Sequence, residues 1–342
     1  MKGHTIVLDH INGREAAALM VDGRLSDLFI ASDAPAPGTI YRAIADRPVK
    51  GQGGMFLKTP DGPAFLRQVK GLSPGQPLLV QVTGYAEPGK AIPVTQKLIF
   101  KSRYVIVTPD APGVNVSRKI RDEALRDELL VSAHDALGDQ DTGLIIRSTC
   151  AQEPEAALEL ADDIMTVVPQ ALDVARDAGQ DMAKLMDGDA PHVLAWVNWT
   201  DPADIASTPG SFADHGVLDE IEAAQSPQID LGASGHMYVE ATRALVAVDV
   251  NTGADGSFAA GLRANLACAR ALPAALRVRG LGGQITLDLA PMAKKERRGF
   301  ESALRAAFRA DDVDTIMAGW TPLGHYELQR KRARLPLLQV LT

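Results

Sequence analysis

The stretch VAVDVNTGADG, Val246 to Gly256, sets a carboxylate into a run that is otherwise apolar. Ala244 to Val250 (ALVAVDV) has the valine-rich composition of a buried strand, yet it carries Asp249, with Asn251 two residues on. Side chains alternate across a strand, so Asp249 and Asn251 share a face. A carboxylate in such a setting needs a hydrogen-bond donor, a cationic side chain or a metal ion. A second apolar segment, QITLDLA, ends beside another carboxylate, Asp288. The single helical stretch between the two segments predicts a right-handed crossover that makes them parallel neighbours. Both carboxylates and the amide then meet outside the carboxyl ends of the strands, where open α/β sheets place their sites. Two ionised carboxylates about 4 Å apart repel by about 4 kcal/mol at an effective dielectric of 20. Either one is protonated or a cation sits between them, and oxygen donors of this kind suit Mg2+ or Mn2+. The plainer alternative is that each aspartate caps the loop after its strand.

Two other groups could meet a polyanion. Over Lys294–Arg309 a helical period buries Phe300, Leu304 and Phe308 and sets Lys295, Arg298, Arg305 and Arg309 on the opposite face. That face is either solvated or a stripe that follows phosphates. Arg147, Ser148 and Thr149 end the strand GLIIRST and offer a guanidinium beside hydroxyls, the groups that hold a terminal phosphate. The seven histidines have no HExxH-like spacing, and no Ser/His/Asp set or P-loop is visible. The two cysteines, Cys150 and Cys268, read as core residues, and without a CxxC there is no zinc-like donor set.

The elements that position these residues follow from pattern. HTIVLDHINGREAAALMVDGRLSDLFIAS reads as three strands joined at Asn12-Gly13 and Asp22-Gly23. After the linker Asp33–Gly38, short strands alternate with Gly/Pro turns from Thr39 to about Gln96, as in a closed barrel of roughly five strands. RYVIVTP and GLIIRST are strands, and a helix is expected from Asp122 to Leu137. Glu155 to about Lys184 reads as a helix with Leu158, Ala161, Ile164 and Met165 on one side, and VLAWVNW as a strand. Thr200–Ser226 has no clear period. HMYVEA pairs with ALVAVDV, and Ser257 caps a helix that Pro273 bends or ends. The fold class is thus mixed α/β with at least one parallel pair.

A chain of 342 residues, 46% hydrophobic and 23% charged, is long enough for two or three soluble domains. Its net charge of −8 excludes a histone-like binder but not an enzyme with a local basic surface. MKGHTIVLDH turns polar too soon for a signal peptide, and no run approaches the ~18 apolar residues of a membrane span. A cytoplasmic protein with no membrane partner is the expectation.

Taken together, VDVNTG, RANLACARALPAALRVRGLGGQITLDLAPM, FESALRAAF and LGHYELQRKR resemble the catalytic domain of the ribonuclease E/G family. Upstream, IVLDHINGREAAALMVDGRLSDLFIAS, SRYVIVTPDAPGVNVSRKI and GLIIRST resemble the family's first strands, the segment after its S1 barrel, and its 5′-monophosphate sensor. The resemblance runs in the family's order over nearly the whole chain. It implies an RNase H-like subdomain with an inserted S1/OB β-barrel, followed by a DNase I-like α/β catalytic domain. The expected boundaries are 1–35 and 193–226 for the RNase H-like parts, 36–96 for the barrel, 97–192 for the sensor region and 227–342 for the catalytic domain.

The resemblance also implies function. Asp249 and Asp288 match the magnesium-binding aspartates (Mn2+ being an alternative), with Asn251 beside them as a third catalytic position. Arg147 and Ser148 match the holders of an RNA 5′-phosphate. Phe65 and Lys90 match barrel residues that engage RNA, while a second barrel aromatic is Met55 here. The implied activity is Mg2+-dependent hydrolysis of single-stranded RNA, for processing or decay, leaving 5′-phosphate and 3′-hydroxyl ends. Departures are DLAPM with Pro291, Ser102 for a sensor glycine, and Asp311-Asp312 in place of a basic run. The middle region is also short, and the CPxC zinc link is absent, so a zinc-linked dimer is not expected. DLAPM, Asp311-Asp312 and the short middle region suit the alternative of an RNA-binding protein without turnover. A phosphodiesterase acting on DNA or a small phosphoester has only the aspartate spacing behind it.

Overall fold

Among the described residues four sheets organise the chain, and two neighbouring strands of one of them carry Asp249, Asn251 and Asp288. The computed structural model describes residues 3–49, 53–69, 71–153 and 155–342. They divide into one unit of Met1–Ala31 with Ala203–Thr342 and another of Ser32–Pro202.

In the first unit, β1 (His4–Ile11), β2 (Arg14–Val21) and β3 (Arg24–Ile30) form an antiparallel meander. Asn12, Gly13, Asp22 and Gly23 all have positive φ, the conformation that two-residue hairpin turns require.

The second unit begins with β4 (Ile40–Val49), β5 (Gly54–Thr59), β6 (Gly62–Leu66), β7 (Pro77–Val82) and β8 (Ile92–Thr95). They run in the order β4-β5-β6-β8-β7, and β4 pairs with β7 to close a five-stranded OB-like barrel around Tyr41, Leu57, Leu66 and Val80. Then come β9 (Phe100–Lys101), β10 (Val105–Thr108), β11 (Gly113–Val116), α1 (Glu123–Leu137), β12 (Gly143–Ile146), α2 (Ala156–Ala175), β13 (Ala183–Met186) and α3 (Pro191–Asn198). The sheet β11-β12-β10-β9 shares a core with α1 and α2, and β13 adds to the barrel at β4.

Three expectations are corrected here. The long helix stops at Ala175, and Ala183–Met186 is a strand. The buried seam of α2 is Leu160, Ile164, Val168 and Leu172, whereas Leu158 and Met165 are exposed. VLAWVNW lies mostly in helix α3 rather than a strand. A seven-residue apolar run does not separate the two by period, and Pro191 at the first helical position was the start signal.

Back in the first unit are β14 (Asp204–Ala206), α4 (Ser211–Asp214), α5 (Val217–Gln225), β15 (Gln228–Asp230), β16 (His236–Ala241) and β17 (Val246–Asn251). They are followed by α6 (Phe258–Val278), β18 (Gly283–Asp288), α7 (Arg297–Arg309), β19 (Thr315–Trp320), β20 (Tyr326–Arg330) and α8 (Leu337–Leu341). β14 lies parallel to β1, so part of the unassigned stretch completes the first sheet. The large sheet runs β15-β16-β17-β18-β20-β19, with β17 and β18 parallel and the other pairs antiparallel. α6 and α7 cover one of its faces through Cys268, Leu272, Phe300, Leu304 and Phe308. Pro273 does not end α6: it lies buried inside a helix that continues to Val278.

A buried ionic network joins the two sheets of this unit. Arg334 pairs with Asp27 of β3, while Arg277 approaches Asp27 at 3.8 Å and also pairs with Asp311. Arg330 pairs with the same Asp311, whose side chain has no exposed surface. Asp311 therefore fills a structural position, and only Asp312, which is exposed, adds acidity to the surface.

Candidate active site

The rim of the large sheet gathers the first polar set. In β17, Val246, Val248 and Val250 point into the helix-covered core, so Ala247, Asp249 and Asn251 take the other face. In β18, Ile285 and Leu287 are buried, and Gln284, Thr286 and Asp288 face outward. Parallel register sets Asp249 directly beside Asp288. Neighbouring strands lie about 4.8 Å apart, so the carboxylates stand side by side at the carboxyl ends of both strands. Asn251 donates its side-chain N–H to Asp249 Oδ2 at 2.8 Å. His236 lies opposite Asn251 and Tyr238 opposite Asp249 on β16, their rings edge to face at 5.4 Å. From the turn before β20, His325 Nε2 comes within 3.6 Å of Asp288 Oδ1.

Both aspartates are exposed. Among the described residues no group of three or more His, Cys, Asp or Glu forms a ready metal cluster. Two carboxylates open to water fit a hard divalent cation, because Mg2+ keeps several waters and takes only one or two carboxylates. Burial pushes the Cys150 and Cys268 thiols up to about 12, so neither is a nucleophile at neutral pH.

The segment after Asp288 is clamped from behind. Asn265 of α6, fully buried, donates to the Ala290 carbonyl at 2.9 Å and accepts from the Ala290 N–H at 3.0 Å. A side chain at Gly261 would collide with the Pro291 carbonyl, so α6 also needs a glycine there. Pro291 thus sits in a braced loop behind the carboxylate pair. Asn265 escaped sequence reasoning; its only signal was a polar residue on the buried stripe of an apolar helix.

The remaining candidates fall in several places. Lys295 lies in a 3-10 turn before α7, and Arg298, Arg305 and Arg309 are exposed on α7 opposite Phe300, Leu304 and Phe308. In the second unit, Arg147 follows β12 and its Nη1 donates to the carbonyls of Ser102, Arg103 and Val197, the last two at 2.9 Å. Ser148 opens the 3-10 turn Ser148–Gln152. The Ser102 hydroxyl donates to Asp163 at 2.5 Å. Phe65 is half-buried on β6, and Lys90 is exposed and paired with Glu87 at 2.9 Å. Met55 points into the barrel core, so no aromatic at that position would face outward. The ring that accompanies Phe65 outside is Phe56, with centroids 5.3 Å apart and Arg47 over it at 5.1 Å.

The chain matches the model of the ribonuclease E/G family over residues 100–197 and 176–333, which include Arg147, Ser148, Asp249, Asn251 and Asp288. It is 25% identical to ribonuclease E of Nostoc sp. over 93% of its own length and 54% of that protein's. With ribonuclease G of Escherichia coli K12 it shares 29% identity over 78% of its own length and 62% of the other's. The chain belongs to the ribonuclease E/G family. It spans little more than half the length of these relatives.

Proposed function

We propose that the protein is a metal-dependent endoribonuclease that hydrolyses phosphodiester bonds in single-stranded RNA. The observation that carries this reading is the in-register pair Asp249 and Asp288 at the exposed rim of the sheet. The two carboxylates would hold Mg2+, with Mn2+ as a substitute. When bound, the cation activates a water and offsets phosphate charge. Asn251, fixed through its N–H to Asp249, keeps its amide carbonyl to orient the attacking water. Inversion at phosphorus with the 3′ oxygen leaving would give 5′-phosphate and 3′-hydroxyl ends. Phe65 with Phe56, and Lys90, would hold RNA on the barrel, since bases stack on exposed aromatics without regard to sequence. In this reading residues 36–96 are the S1 domain, 97–192 the sensor region and 227–342 the catalytic domain. RNA processing in the cytoplasm is the setting it fits, and no helix among the described residues is long and apolar enough to cross a membrane. The test is incubation with a 5′-monophosphorylated A/U-rich oligoribonucleotide, in Mg2+ and in EDTA. Internal cuts only with metal support the proposal, and binding without cutting supports an RNA-binding protein without turnover. A DNA version of the same oligonucleotide should stay intact.

Arg147 would have two tasks, binding a 5′-phosphate and tying α3 to the β9–β10 segment. Arg147→Ala is expected to lower the melting temperature by about 5 °C, since charged hydrogen bonds contribute about 1.5–3 kcal/mol each. Calorimetry measures that loss, and cutting of 5′-monophosphorylated against 5′-hydroxyl RNA measures the other role. Slowing confined to the phosphorylated substrate is expected. Equal slowing of both substrates would leave Arg147 only its structural task.

A further inference from the structure

Among the described residues five arginines lie over aromatic rings: Arg47, Arg103, Arg297, Arg330 and Arg334. Three are also ion-paired, Arg103 with Glu153, Arg330 with Asp311 and Arg334 with Asp27. Arg297 differs. Its half-buried guanidinium lies 4.2 Å from the Trp320 ring centre and makes no hydrogen bond or ion pair among the described residues. Arg47, on the outer face of the barrel with Phe56, is the other arginine of this kind.

The ring under Arg297 is itself fixed. Trp320 Nε1 donates to Glu301 Oε1 at 2.6 Å, and the indole packs edge to face on Tyr326 at 5.2 Å. Glu301, one helical turn beyond Arg297, is therefore committed to the indole. Stacking holds the guanidinium plane while leaving its N–H fork at the edge open to a planar or tetrahedral anion. Its position points the same way. One Arg297 nitrogen lies 3.5 Å from where a Cβ on Gly324 would stand, and the next residue, His325, reaches Asp288 at 3.6 Å. A preset cation without an anion thus stands one turn residue away from the carboxylate pair.

We propose that Arg297 contacts an RNA backbone phosphate at, or next to, the one processed between Asp249 and Asp288. This inference rests on the nuclease reading. It adds a contact that neither carboxylate can make, since both repel the phosphate they act on. The competing role is a staple, in which Arg297 only holds the start of α7 against β19.

Binding of a single-stranded oligoribonucleotide to the whole chain in EDTA separates the two roles, because no cutting is needed. Arg297→Met keeps apolar cover on Trp320 and removes the charge. Loss of one phosphate contact is expected to weaken binding roughly ten-fold and to reduce the slope of log affinity against log salt by about 0.7. The melting temperature should stay within about 2 °C of wild type. Arg297→Lys should keep the slope and weaken binding about three-fold, since an ammonium lacks the two-pronged fork. Unchanged affinity and slope in Arg297→Met, or unchanged affinity with a lower melting temperature in Arg297→Lys, would overturn the proposal while leaving the nuclease reading in place. Absence of RNA binding together with absence of RNA cutting in Mg2+ by the wild-type protein would instead remove both.

Discussion

Asp249→Asn and Asp288→Asn are each expected to lower the rate of RNA cutting by more than about 100-fold. Even residues that merely support metal ligands cost 10–100-fold when changed. Asparagine has nearly the same shape as aspartate, so the substitution removes charge and little else. Both side chains are exposed, hence no buried group loses a partner. Removing one of two neighbouring carboxylates also relieves like-charge repulsion, which solvent screens at this exposed rim. The melting temperature of either variant in EDTA should therefore equal or exceed that of wild type. RNA affinity without metal should hold or rise, because less negative charge faces the phosphates. Rates and melting curves measured on the same preparations check all three outcomes. Wild-type-like cutting by either variant would remove that aspartate from the centre.

The second large effect is on stability. Asp311→Ala is expected to cost about 3–5 kcal/mol, since it leaves the buried Arg330 without a carboxylate and Arg277 with only the more distant Asp27 at 3.8 Å. Arg330 is 2% exposed, and burial already pulls its proton affinity down against the pull of Asp311. Without that carboxylate its charge has no partner. A chain segment of this size loses about 2–4 °C of melting temperature per kcal/mol, so a fall of about 10 °C is expected. Asp312→Ala, one residue on and exposed, should change it by less than about 1 °C. Equal shifts from the two substitutions would contradict the network. The acidic pair after α7, which in the sequence stands in place of a basic run, thus splits into an internal brace and one solvated charge.

What was legible in the sequence depended on periodicity. Asp249 and Asp288 stood out because each interrupts a valine- or leucine-rich strand, and one connecting helix dictated parallel neighbours. The stripe Phe300, Leu304 and Phe308 came from the helical repeat in the same way. The barrel was readable as short strands between Gly/Pro turns, and the pairing of β4 with β7 closes it. Partners that come from distant segments were not readable. Asn265 meets Ala290, Arg147 meets Val197, and Trp320 lies under Arg297 only once the chain has folded. The face of a barrel residue was equally hidden at Met55 and Phe56, since adjacent residues differ only in which side of the strand they occupy. In α3 the deciding feature was a single proline at the helix start rather than the apolar run that followed it.

The proposed role of Asp249 and Asp288 is to form a metal-dependent centre for cutting RNA. It is tested most directly by mapping the products of a 5′-monophosphorylated A/U-rich single strand after incubation with the wild-type protein in Mg2+ and in EDTA. Asp249→Asn protein, purified in parallel, serves as the control. Internal cuts with ligatable 5′-phosphates are expected in Mg2+, and none in EDTA or with the variant. Stable RNA binding with no cut in Mg2+, or equal cutting in EDTA, would contradict it.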